Sequence, residues 1–169
     1  KGVHYLLEAS EAVLARHPEA VFVLTGTGPS EAALKEHAQR IDPTRFRFVG
    51  FRQDIPELLN IANLLVLPSL REGLPQVILE AYACGVPVIA NDVGGIKDVL
   101  RDGVHGHLLK PARPEQISRA INRLLDDEAL RGEMGRANRD IALSTYDLTK
   151  IAEDTLREMR ALSSHKAVR

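Results

Sequence analysis

The chain has 169 residues, enough for one domain with a full hydrophobic core, and its 44% apolar and 27% charged residues are ordinary for a globular protein. Its 22 basic and 23 acidic residues are spread along the chain and leave a net charge of −1, without the basic footprint that nucleic-acid binding needs. No apolar run approaches the roughly 18–20 residues that span a bilayer, and the single cysteine, Cys84, cannot form an internal disulfide, which points to a reducing compartment. The chain opens on Lys1-Gly2 without a methionine, inside a structural element, and so reads as a fragment whose targeting segment could lie upstream.

Gly2–His17 carries Val3, Leu6, Leu7, Ala9, Val13 and Leu14 near helical spacing, and Pro18 stops it. Ala20–Thr25 is a short β-rich run of the kind buried on both faces of a parallel sheet. Ser30–Ile41 reads as a helix, Arg45–Val49 as a strand, Ile55–Ala62 as a short helix and Leu64–Leu67 as a strand. Pro75–Cys84 is a helix closed by Gly85, followed by strand Pro87–Ala90, short helix Gly95–Arg101 and strand Gly106–Leu109. From Pro114 the pattern is helical throughout, over Pro114–Leu125, Glu128–Ser144 and Leu148–Leu162, with Ser163–Arg169 frayed and Asp127 the expected N-cap of the middle helix. Strands alternating with helices predict an α/β doubly wound parallel sheet with C-terminal helices. Such sheets bind ligands at the carboxyl ends of their strands, which singles out the loops Thr25–Pro29, Gly50–Asp54, Pro68–Leu74 and Asn91–Gly95.

The stretch Arg71-Glu72-Gly73-Leu74-Pro75-Gln76-Val77-Ile78-Leu79-Glu80 carries the chemistry. Proline suits the first helical turn and biases Leu74 to an extended backbone, so a helix should open at Pro75 with the N–H groups of Gln76, Val77 and Ile78 facing the strand-end crevice. That is an anion site suited to a phosphate. Glu72 sits on the loop just before the helix, and Glu80 lies about two turns from Glu72 along the chain. Facing a phosphate they would repel it; beside it they can accept hydrogen bonds from the hydroxyls of a sugar and a ribose. The bland alternative is a surface Glu72 and an ordinary helical Glu80. Gly73 lets the backbone approach a ligand closely.

Glu72 and Glu80, with seven residues between them inside LPSLREGLPQVILEAYACGVPVIANDVGG, resemble the Glu-x7-Glu signature of family 4 retaining glycosyltransferases. Lys1-Gly2-Val3, VFVLTGTGP, FRFVGF, DGVHGHLL and TYDLTKIAE extend the resemblance over nearly the whole chain. It implies one half of a GT-B fold: residues 1–169 as the single Rossmann-like, carboxy-terminal donor-binding domain, with the acceptor-binding amino-terminal domain absent. The function implied is retaining transfer of a hexosyl group from a nucleotide-sugar such as a UDP or GDP sugar. The acceptor would be a glycan, a lipid-linked sugar or a small molecule.

By the same resemblance Glu72 is the catalytic-site residue. It contacts donor-sugar hydroxyls and positions the donor rather than acting as a nucleophile. Glu80 holds the ribose hydroxyls, the backbone around Gly73, Leu74, Val77 and Ile78 lines the sugar and diphosphate, and Lys1 neutralises the diphosphate. The base rests at the loop Gly50–Arg52, with Arg52 a contact. No cofactor and no metal are expected, and no Asp-x-Asp motif is present. The fragment alone is expected to be inactive, and a strand that precedes the Lys-Gly pair in the family should leave a gap in its sheet or an exposed edge. The expected location is cytoplasmic, with peripheral association at the inner membrane face through the missing domain. Leu74-Pro75 stands where Phe-Gly is frequent, and Asp98 where glutamate is common; both departures bear on donor identity.

Two alternatives stand beside this reading. A non-catalytic nucleotide-sugar-binding module would keep the same residues. An NAD-binding Rossmann domain would use Gly26-Thr27-Gly28, but Glu31 occupies the place of the third glycine. His105-Gly106-His107 reads as a turn entering the last strand rather than a metal site, and Cys84 as a small packed residue at a helix end.

Overall fold

A computed structural model describes residues 1–110 and 113–166, with side chains for all of these except 148 and 161–166. In chain order the elements are α1 (Val3–Arg16), β1 (Phe22–Thr25), α2 (Glu31–Ile41), β2 (Phe46–Gly50), α3 (Ile55–Asn60), β3 (Leu65–Leu67) and α4 (Gln76–Ala83). They continue as β4 (Val88–Asn91), α5 (Ile96–Val99), β5 (Gly106–Leu109), α6 (Pro114–Asp126), α7 (Glu128–Thr145) and α8 (Leu148–Lys166). The predicted alternation holds element by element.

Strands β3, β4 and β5 form one parallel sheet in that order, and alternate residues feed opposite layers. Val66, Ile89 and Leu109 pack with Leu6, Ala9 and Val13 of α1 and Ile117, Ile121 and Leu124 of α6. Leu65, Leu67, Val88, Ala90 and Leu108 pack on the other face with Leu59, Ile78, Tyr82, Ile96 and Ile141, from α3, α4, α5 and α7. The period of two along each strand thus serves two helical layers, as a doubly wound sheet requires. Asp127 caps α7 as expected, its carboxylate accepting from the Leu130 N–H at 2.9 Å.

Strands β1 and β2 form a separate parallel pair, and among the described residues β1 does not pair with β3. The sheet is therefore divided, in line with the expected gap. Phe22 of β1 still packs in the same apolar cluster as Leu64 and Val66, so one core runs beneath both parts.

The structure corrects three expectations. Strand β1 is not buried on both faces: Phe22 and Leu24 face Leu7, Leu34 and Phe46, whereas Val23 is 49% exposed. The apolar run is continuous, but α1 and α2 cover only one side of the pair. Helix α4 begins at Gln76, with Pro75 in the extended N-cap position (φ −74°, ψ 116°). Finally, α8 continues to Lys166, so 163–166 are helical; residues 167–169 of the expected frayed end lie outside the described residues. Among the described residues no helix is long and apolar enough to cross a membrane.

Candidate functional site

Three segments meet at the carboxyl end of the β3–β4–β5 sheet. Asn91, the last residue of β4, is 2% exposed, and its Nδ2 donates to the carbonyls of Pro68 and Ser69, each at 3.0 Å. The carboxamide thus holds the chain leaving β3. Gly2 lies against the same Pro68 carbonyl; a Cβ there would come within 2.1 Å of that oxygen. On the far side of the loop, Gly94 (φ 56°) sits so close to the Glu72 carbonyl that a Cβ would stand 1.8 Å from it. The Gly95 N–H donates to the Gly73 carbonyl at 2.9 Å. The 68–73 segment is therefore fixed by β4 and its following turn, and Lys1-Gly2 is seated on it.

The consequence is a contact across 71 positions of sequence: Lys1 Nζ donates to Glu72 Oε1 at 2.6 Å. The Glu72 side chain is 11% exposed and that of Lys1 70%. Burial pushes the Glu72 carboxyl up, and the Lys1 ammonium together with the Ser69 hydroxyl brings it below the usual carboxylate range. A carboxylate so depressed contributes stability above its unfolded value, and that contribution is lost as pH falls through the folded value. Lys1→Met is expected to raise the Glu72 value in a 13C carboxyl titration and to move this acid limb to higher pH. An unchanged Glu72 titration would show that Lys1 does not hold the carboxylate.

The opening of α4 lies next along the chain. The Ile78 N–H donates to the Pro75 carbonyl at 3.1 Å, so it is not one of the amides open to a ligand, contrary to expectation. Because Pro75 is the cap rather than the first helical residue, the open end of the helix begins at Gln76 and Val77. The Ile78 side chain is fully buried in the core, so only its backbone could line a ligand; Val77 is half-buried and Leu74 exposed. Glu80 is half-buried about one turn into α4.

Arg52 belongs to a second loop group. The Gly26 N–H donates to the Gly50 carbonyl at 2.7 Å, which joins the loop after β1 to the last residue of β2. The Arg52 guanidinium is bidentate on Asp54, with Nε to Oδ1 at 2.7 Å, and this pairing holds the Asp54 carboxyl below its usual range. The fold thus brings Lys1, Glu72 and Gly73 together and tethers Arg52 within its own loop.

The histidines are structural partners of the β5 turn. His105 Nδ1 accepts from the Arg101 N–H at 3.2 Å and lies 3.2 Å from the Val99 carbonyl, while His107 Nδ1 lies 3.2 Å from Asp102. Among the described residues no cluster of three His, Cys, Asp or Glu side chains could hold a metal. Cys84 is the C-cap of α4 and is half-buried. The groove lined by Ala38, Asp42, Pro43 and Phe46 lies at the amino end of β2, away from the strand-end loops. Sequence reasoning singled out the loops that contain Ser69 and Asn91 but gave neither residue a part. The available signal was the lone polar residue closing the apolar run Val88-Ile89-Ala90, at a strand end.

Comparisons with known proteins give the family and the fold. The family model described as glycosyl transferases group 1 matches residues 1–141. The alpha-D-kanosaminyltransferase of Streptomyces kanamyceticus is 34% identical over 152 residues, covering 88% of this chain and 39% of that protein. The chain spans about two fifths of the length of the curated relatives it matches. Among solved structures, Anabaena Alr3699/HepE in complex with UDP superposes with a TM-score of 0.86 at 27% identity, over 95% of this chain and 45% of that one. The C-terminal domain of LpcC, a glycosyl transferase group 1 family protein from Francisella tularensis, does so with a TM-score of 0.79 at 25% identity, over 88% and 80% of the two chains. The structural neighbours are GT-B glycosyltransferases, and the Rossmann-like α/β fold of this chain is of that kind.

Proposed function

From a chain that belongs to the group 1 glycosyl transferases, we propose that residues 1–169 are the donor-binding, carboxy-terminal half of a family 4 enzyme. This enzyme transfers a hexosyl group with retention at the anomeric carbon and without a metal. The observation that carries the reading is the contact of Lys1 with Glu72 beside the opening of α4. A donor bound there would meet this cation and carboxylate from one side and the amides of Gln76 and Val77, which open α4, from the other.

The roles follow from charge. A diphosphate is drawn to Lys1 and to the positive end of α4, whose dipole and open amides favour an anion. As the bond to the sugar breaks, negative charge grows on the departing diphosphate, and the same groups meet it without rearrangement of solvent. The Glu72 carboxylate accepts from donor-sugar hydroxyls and positions the sugar. Glu80 does the same for the ribose, the backbone at Gly73, Leu74 and Val77 lines the ligand, and Arg52 stands at the base. Solved neighbours crystallised with UDP and with UDP-glucose support a uridine nucleotide. The acceptor is held by a partner domain, so the isolated chain transfers no sugar.

Thermal shift of the chain with UDP, GDP, ADP and NAD tests the reading. A nucleoside diphosphate at a hundred times its Kd should stabilise by about 2.7 kcal/mol. Stabilisation by NAD alone would contradict the proposal, and stabilisation by one of the nucleoside diphosphates would support it.

A further inference from the structure

The loop that carries Glu72 is anchored by a residue to which neither the sequence pattern nor the proposed chemistry gives a part. Asn91 is buried at the end of β4, and both bonds of its Nδ2 go to the backbone of the neighbouring strand end, at Pro68 and Ser69. Its Oδ1 is buried with no hydrogen-bond partner. Three residues after Ser69 comes Glu72. Ser69 is 1% exposed, and its hydroxyl sits beside the Glu72 carboxylate without completing a full hydrogen bond. The Pro68 carbonyl is also the surface on which Gly2 is seated, so one carboxamide sets the height of both the Lys1 and the Glu72 segments.

This arrangement matters because of a conflict within the site. Lys1 holds the Glu72 carboxylate at 2.6 Å, yet a diphosphate draws the same ammonium towards itself. Once Lys1 turns to the phosphate, Glu72 needs another restraint if it is to meet a sugar hydroxyl in a fixed place.

Resting on the donor-binding reading above, we propose that Asn91 is the positioning residue for Glu72. By clamping the Pro68 and Ser69 carbonyls, it keeps the Glu72 carboxylate and the adjacent Ser69 hydroxyl in register with the donor sugar when Lys1 is engaged by the diphosphate. A side chain that merely stabilised the sheet would affect nucleotide and nucleotide-sugar alike. A positioning residue affects the sugar more.

Calorimetry on the whole chain separates these. Kd is measured for UDP and UDP-glucose, GDP and GDP-mannose, and ADP and ADP-glucose, and the pair with the tightest nucleotide-sugar gives a ratio that isolates the sugar. In Asn91→Ala and Asn91→Asp this ratio should fall at least fivefold towards one, with the nucleoside diphosphate Kd changing less. An unchanged ratio, a parallel loss of both affinities in the variants, or a wild-type ratio already near one overturns the proposal while leaving the reading of the wild-type chain as a nucleotide binder in place. No binding of any nucleotide overturns the donor-binding reading and this inference with it. If the variants do not fold, the wild-type Asn91 carboxamide resonances decide: they must shift on nucleotide-sugar addition beyond the change caused by the nucleoside diphosphate, and equal shifts refute the role.

Discussion

Gly94→Ala should destabilise the chain by about 3–5 kcal/mol, among the largest effects a single substitution produces. Two costs combine. A left-handed backbone (φ 56°) penalises any residue with a Cβ by roughly 1–2 kcal/mol. The added carbon would also lie 1.8 Å from the Glu72 carbonyl oxygen, which is backbone and cannot swing aside. Relief requires moving the turn after β4 away from the 72–73 segment, and that breaks the bond from the Gly95 N–H to the Gly73 carbonyl. Gly103→Ala is the control: its φ is 75°, but nothing lies within 4 Å of the new carbon, so only the backbone penalty of roughly 1–2 kcal/mol applies. Urea unfolding of the two variants measures the difference. Equal losses would mean that the turn does not press on the Glu72 loop.

Tyr82→Ala should cost a similar amount, about 3–5 kcal/mol, for a different reason. The ring is wholly buried on α4, between the sheet and α5, and meets His105 at a centroid distance of 5.1 Å. Removing it leaves a cavity beneath the helix whose start forms the candidate phosphate site. Its hydroxyl donates to the Val99 carbonyl at 3.0 Å, so Tyr82→Phe should cost only about 1 kcal/mol. The urea midpoint should fall far more in the alanine variant than in the phenylalanine one, with little change in slope. Comparable losses would place the stability in the hydrogen bond rather than in the packing.

Much of this architecture is legible in the sequence because its signals are local. Apolar runs closed by Pro or Gly mark the strands and helices, and β5 has the predicted ends Gly106 and Leu109. Asp127 before Glu128 announces the start of α7 through its own capping bond. What escapes is set by tertiary partners. Val21 and Val23 look as buried as Val88 and Ile89, but only the latter have helices on both faces. Pro75 fits either the cap or the first turn; the Ile78 N–H bond to its carbonyl decides for the cap. Arg52 could reach a ligand or its neighbour Asp54, and the neighbour two residues away holds it.

The candidate site divides along the same line. Glu72 and Glu80 stand out by spacing and by resemblance. The meeting of Lys1 with Glu72 spans too much chain for any periodicity to show it. Asn91 is harder still, because its task is carried by two backbone carbonyls, and backbone acceptors leave no mark in a sequence. Buried side chains that bind such acceptors are legible only once the strands are side by side.

The central claim is that the Glu72–Glu80 segment binds the sugar and ribose of a nucleotide-sugar. The direct measurement is calorimetric titration of the chain, and of Glu80→Ala, with the nucleoside diphosphate that stabilises the wild-type most. Loss of a charged acceptor for ribose hydroxyls is worth about 1.5–3 kcal/mol, so Glu80→Ala should bind about tenfold to a hundredfold more weakly while remaining folded. Equal affinity in the two proteins would contradict the claim.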